Sequence, residues 1–434
     1  MRIAEFSDVL SPILVKELRQ GRRSRALVLL AVLTFVAAGL ISLLFVIGGK
    51  GRPNEGLFSG LYGCLSLIGF LIFPLMAHRS LVREQEAGSW EILQLTGLGP
   101  RRIIAGKLMS SLAEMGILSL AVAPFLLLCH FRDQMDLLTI ALLCLAGAVM
   151  TGALTVVALF AATLPRTRSQ RSVIQIVLML GLVLGMSGSM AIANDVGRRG
   201  VELGPMLVSF GAIFAVSYLL FETAAARLSL VAEDYAWRPR VALLVLLAGE
   251  CAYKLWRPFE QDGALSDVVA IAIIACGALG MATEADRAGP PRGRRWPLSL
   301  FAPGALSGFR LTVALLGLTT ALWFVRLDAQ SAPLVIALPA YVILYLSAAL
   351  WISRALGRRG PLAAPDATRV VFVVVSAVCT LVPWMIEKAL RSSTPPALRD
   401  WNTREPGQWV LLALAVLAAI ATDRMLARRR ASGA

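Results

Sequence analysis

In this chain the groups able to do chemistry are few, because most of its 434 residues are apolar. Four carboxylates fall within or beside apolar runs: Glu114, Glu222, Glu250 and Glu284. A charge at mid-bilayer costs on the order of 3 kcal/mol, so each needs a partner or a task. Glu114 follows Lys107 by seven residues and is placed to pair with a basic group near one membrane face. It is the intramembrane carboxylate with the strongest claim to a role. Glu222 and Glu284 stand at span ends, where solvated anchoring accounts for them. Glu250 precedes Lys254 by four residues, the favourable order for a local helical ion pair. A proton relay would need several of these groups on one path.

Nucleophile, metal and nucleotide chemistry have less to work with. The two histidines, His78 and His130, fall on opposite sides of the membrane in the topology below. The six cysteines are scattered through apolar runs without C-x-x-C spacing and read as small buried hydrophobes. Cys129-His130 offers two soft ligands, too few to hold a metal alone. No phosphate-cradling G-x-x-x-x-G-K-S/T is present, since Gly106-Lys107 is followed by Leu108 and opens an apolar run. H-E-x-x-H and G-x-S-x-G are absent too. The chain is therefore not expected to be an enzyme or to hold a cofactor or metal.

The elements that must position these residues are membrane helices. Apolar residues make up 57% and charged residues 16%, where a soluble protein carries about 25% charge. The mean hydropathy is +0.73. The expected fold is an all-α polytopic membrane protein with about twelve spans. The windows are 26–48, 57–77, 108–130, 137–164, 172–194, 205–225, 241–256, 267–285, 306–325, 334–353, 369–386 and 408–425. If 241–256 and 267–285 form a re-entrant pair, the number falls to ten. Most of the 42 lysines and arginines lie on alternate loops, which places both termini in the cytoplasm. That also makes the net charge of +15 an orientation signal, with no nucleic-acid partner implied. Residues 1–25, with Ser11-Pro12 and alternating apolar and basic positions, suit an amphipathic helix lying on the headgroups. Residues 26–225 form a six-span core, and 226–434 add about six spans of unassigned role. The proline- and arginine-rich loop 286–304 is the linker between the two groups. Gly181, Gly185 and Gly188 give the fifth span a small-residue face for close packing, within the chain or between copies.

One polar stretch between spans, Arg79–Lys107, is too charged to cross the bilayer. Ser89 can cap a short helix in it, Glu91 sits in the first turn, and Gly97, Gly99 and Pro100 stop it. Trp90, Leu93 and either Leu95 or Ile92 give that rod an apolar stripe. A capped rod held between two spans is suited to touching a cytosolic partner; an ordinary solvated loop is the plainer alternative.

The run R-E-x-E-x-G-S/T-x-E-x-L-x-x-T, followed by I-x-x-G-K-L, is carried here by Arg83, Glu84, Glu86, Gly88, Ser89, Glu91, Leu93, Thr96, Ile103, Gly106, Lys107 and Leu108. It resembles the permease subunits of ABC-2-type transporters, closest to the group linked with multicopper-enzyme maturation. The segment P-I-L-V-K-E-L-R at 12–19 is similar to the family's interface helix, and the resemblance covers about 10–225. Gly97-Leu98-Gly99 departs from the common Pro-Leu-Ser, and Ser89 from the usual threonine. The resemblance implies a bacterial inner-membrane permease, expected to be an exporter, driven by a separate ABC ATPase that brings ATP and Mg. Its coupling residues would be Arg83, Glu84, Glu86, Gly88, Ser89, Trp90, Glu91, Leu93, Leu95 and Thr96. One rod per chain implies a homodimer or a pairing with a second permease. The alternatives are a self-contained secondary transporter or channel, and a membrane scaffold for assembling another protein.

Overall fold

The computed structural model describes residues 25–48, 56–87, 99–133, 135–164, 168–199, 203–229, 237–256, 305–324, 340–344, 346–348, 350–352 and 405–432. Among these every regular element is helical, with no strand. The chain divides into two compact units. One takes the residues up to Thr163 together with Gln175–Leu228; the other takes Leu164–Ile174 and everything from Ser229 onward.

The first unit holds helices α1 (Arg25–Gly48), α2 (Gly56–Ser66), α3 (Phe73–Glu86), α4 (Pro100–Asp133), α5 (Leu137–Ala162), most of α6 (Arg168–Arg199) and α7 (Leu203–Leu228). A π-helical segment, Leu67–Ile72, joins α2 to α3 without a break. Six helices are long and apolar enough to cross a membrane, α2 and α3 counting as one through the π segment. The protein is thus a multi-pass membrane protein. The expected windows fall on these helices, but the second continues to Glu86 and the third starts at Pro100. Pro100, expected to stop a helix, opens α4 instead, where a missing N–H costs nothing. Pro124 lies inside α4, which runs on to Asp133. At 34 residues α4 is about 51 Å long, well beyond a hydrocarbon core of about 30 Å.

Packing follows from which side chains are small. On α1 the buried positions Leu27, Thr34, Ala38 and Ser42 make one narrow seam against α2 and α4. Leu29, Leu33, Leu40, Leu44 and Ile47 point outward, as lipid contact requires. Behind the seam lies a core of Leu57, Phe58, Leu61, Leu65, Met115, Leu118, Val122, Leu126, Ile140 and Leu143. Helix α5 is central and packs against α3, α4 and α7. Its Thr151 and Thr155 are fully buried, yet each hydroxyl donates to the carbonyl one turn back, at 2.8 and 2.7 Å. These hydroxyls are satisfied within their own helix and open no polar path. On α6, a Cβ added at Gly185 would meet Leu154 at 3.4 Å, whereas Gly181 and Gly188 face open space. The expected glycine face is therefore only partly used within the chain.

The second span changes partners half-way. Helix α2 packs on α1 and α4, whereas α3 packs chiefly on α5. The π segment stands at the change, and its signature is the bond from Phe73 N–H to the Ile68 carbonyl five residues back. Pro74 follows immediately and has no N–H to give, so a loosened ladder there avoids a clash of the ring with the preceding turn. Gly69, in the π segment, is the closest approach: a Cβ there would lie 2.8 Å from both Met115 Cε and Thr151 Oγ1.

The second unit contains α8 (Trp237–Trp256), α9 (Ala305–Phe324), a shorter apolar helix Ala340–Ile352, and α10 (Glu405–Ser432). Arg310 on α9 forks onto Asp423 of α10, Nε to Oδ1 at 2.6 Å and Nη2 to Oδ2 at 3.0 Å. Trp351 Nε1 donates to Thr422 Oγ1 at 3.2 Å. Arg240, fully buried at the start of α8, reaches Ser307 Oγ at 3.3 Å. The windows 267–285 and 369–386, and the linker 286–304, lie outside the described residues.

Candidate functional site

The charged side chains of the first unit gather at one end of the bundle, where α3 stops and α4 starts. Lys107 on α4 is 2% exposed and buried against α3. Its Nζ donates to Ser80 Oγ at 2.7 Å and to Glu84 Oε1 at 2.9 Å. Ser80 and Glu84 are one helical turn apart, so one ammonium reaches both. One residue type explains the choice. A lysine stem crosses the apolar contact between two helices while its head finds oxygen acceptors.

Arg101, in the first turn of α4, forms an ion pair with Glu222 on α7, whose side chain is almost fully buried. Arg227, near the end of α7, donates from Nη2 to the Thr163 carbonyl at 3.0 Å and from Nε to Thr163 Oγ1 at 3.2 Å. Thr163 is the residue that ends α5, so a cation there complements the helix dipole as well as satisfying a terminal carbonyl. His78 on α3 is 4% exposed, and its Nδ1–H donates to the Ala158 carbonyl of α5 at 3.0 Å. That bond places the ring proton on Nδ1.

These links form a closed circuit: α3 to α4 through Lys107, α4 to α7 through Arg101, α7 to α5 through Arg227, and α5 back to α3 through His78. Each polar group lies at the α3–α4 end, and each link joins helices that are distant in sequence. The opposite end is held differently, by Arg132 donating to the Phe45 carbonyl and His130 Nδ1 to the Met135 carbonyl at 2.7 Å. Both histidines therefore serve as backbone ties. Cys129 is buried with its Sγ 3.8 Å from the Phe125 carbonyl, and no cluster of metal-ligating groups occurs among the described residues.

The expected coupling residues divide at Ala87. Arg83 and Glu86 are exposed on α3, and Glu84 is half-buried in the pair with Lys107. Gly88, Ser89, Trp90, Glu91, Leu93, Leu95 and Thr96 lie outside the described residues. Glu114 is half-buried on α4, two turns beyond Lys107, and Lys107 itself is taken by Glu84 and Ser80. Glu222 corrects the expectation of a solvated anchor: it is buried and paired. Glu250 lies on α8, and Glu284 outside the described residues. Sequence reasoning gave no structural role to Ser80, Arg101, Thr163 or Arg227. The available signal was polar residues recurring at span ends that share one side of the membrane. No protein-family model, curated protein or solved structure matches the chain.

Proposed function

We propose that this chain is the membrane-embedded permease subunit of an ABC-2-type transporter, an exporter working with a separate ABC ATPase. The observation that carries the reading is the circuit, because it grips both flanks of the segment between Ala87 and Gly99. Glu84 and Ser80 hold the end of α3, while Lys107 and Arg101 hold the start of α4. A push on the intervening segment would therefore reach α5 and α7 through polar ties of fixed length. A solvated loop joined to mobile helix ends would dissipate it.

In this reading the α3–α4 end faces the cytoplasm of a bacterial cell, both termini lie on that side, and the chain has about twelve spans. The segment with Ser89, Trp90, Glu91 and Leu93 seats in a groove of the ATPase, which supplies ATP and Mg. Two chains, or this chain and a second permease, make the transporting unit. The test is cysteine cross-linking from Glu91→Cys or Leu93→Cys to an ATPase encoded beside this gene and co-expressed. A cross-link that ATP shifts, with ATP-dependent transport in vesicles, is the expected result. An unlinked chain in membranes without ATP-dependent transport would sink the proposal.

A further inference from the structure

Helix α3 sorts its charges by face. Ala77, His78 and Leu81 are buried, and Ser80 and Glu84 meet Lys107, so the inward side is electrically complete. Met76, Arg79 and Arg83 point outward and are exposed. Neither guanidinium makes a salt bridge or hydrogen bond with a described residue. Arg79 and Arg83 are one turn apart, with Met76 one turn on the apolar side of Arg79, so the stripe passes from thioether to two cations within about 10 Å. That is the profile of a lipid molecule at the edge of the hydrocarbon, an acyl chain below and an anionic headgroup above. Two guanidinium forks at this spacing can share the oxygens of one phosphodiester, in surroundings drier than bulk water.

We propose that Arg79 and Arg83 form a binding site for the phosphate of an anionic phospholipid, seated against the outer face of α3 with its chains beside Met76. The site stands back to back with the Lys107–Glu84 link on the same helix turn, so lipid occupancy would steady that link from outside. The proposal does not depend on the ATPase reading.

The experiment uses the full chain purified in neutral detergent and titrated with phosphatidylglycerol, then phosphatidylcholine, then inorganic phosphate, with bound lipid counted by native mass spectrometry. Phosphatidylglycerol should be retained over phosphatidylcholine, and Arg79→Gln/Arg83→Gln should weaken its retention roughly tenfold. The charge-matched Arg102→Gln/Arg424→Gln variant should retain it within about twofold. Arg79→Lys/Arg83→Lys, which keeps the charge and guards against a folding defect, should bind at an intermediate level. Equal loss in the charge-matched variant, unchanged binding in Arg79→Gln/Arg83→Gln, or protection by inorganic phosphate as effective as by the lipid would each overturn the proposal.

Discussion

At the scale of single residues, the energetics turn on Lys107. Its ammonium is buried, and its partner Glu84 keeps 17% of its side-chain surface exposed. Burying two charges is expensive, so the pair adds little over an apolar replacement; removing one partner alone is what costs. Lys107→Met should therefore destabilise the protein by about 3 kcal/mol, the lower end of the range because Glu84 keeps some water. Lys107→Met/Glu84→Gln should recover most of that loss. Thermal unfolding of the purified variants checks this, and a double variant no better than the single would remove the pair from the account. For Arg101 and Glu222, Glu222→Gln should cost more than Arg101→Gln, since Arg101 is 42% exposed and can turn to solvent, whereas Glu222 is the buried partner and its counter-charge cannot be replaced. The same unfolding measurement ranks the two. Lys107 was visible in the sequence as a basic residue entering an apolar run, but its partner was not. Glu84 and Lys107 are separated by a turn of chain whose closure only the packed helices determine. Glu222 misled for a related reason: a carboxylate near a span end looks solvated until the neighbouring helix, here the start of α4, covers it.

At the scale of elements, the helices of the first unit were legible because hydropathy over a bilayer length is a strong signal. The π segment was not. Leu67–Ile72 is apolar on all sides, so an extra residue in its turn leaves no mark on the pattern. Only Pro74, just after it, hinted at a disturbed ladder. The tight contact at Gly69 makes the segment testable. Gly69→Ala would push a methyl against Met115 and Thr151, and should cost about 1–3 kcal/mol. Met115 can swing aside, so Thr151 decides the outcome; Gly69→Ala/Thr151→Ala should be more stable than Gly69→Ala alone. If Gly69→Ala unfolds at the same temperature as the natural sequence, α2–α3 packs on α4 and α5 more loosely than the contact distances state.

At the scale of the whole molecule, the six long helices of the first unit alternate in direction: the ties at Ala158, Thr163 and Glu222 bring the ends of α5 and α7 to the start of α4. Reporter fusions after residues 92, 166 and 232 should then report one side of the membrane, and fusions after 53, 134 and 201 the other. The positive-inside bias names the first side as cytoplasmic. Two neighbouring fusions reporting the same side would break the alternation. The π turn also bears on this architecture as a matter of sequence length. A π turn is an α-helix carrying one residue too many. Deleting one residue from 67–72 would restore a regular helix and leave the span intact, while turning all of α3 by about 100° relative to α2. Ser80 and Glu84 would swing away from Lys107, and His78 away from Ala158. The protein would still insert with the same number of crossings, yet two of the circuit's ties would be undone by a change that contains no altered side chain.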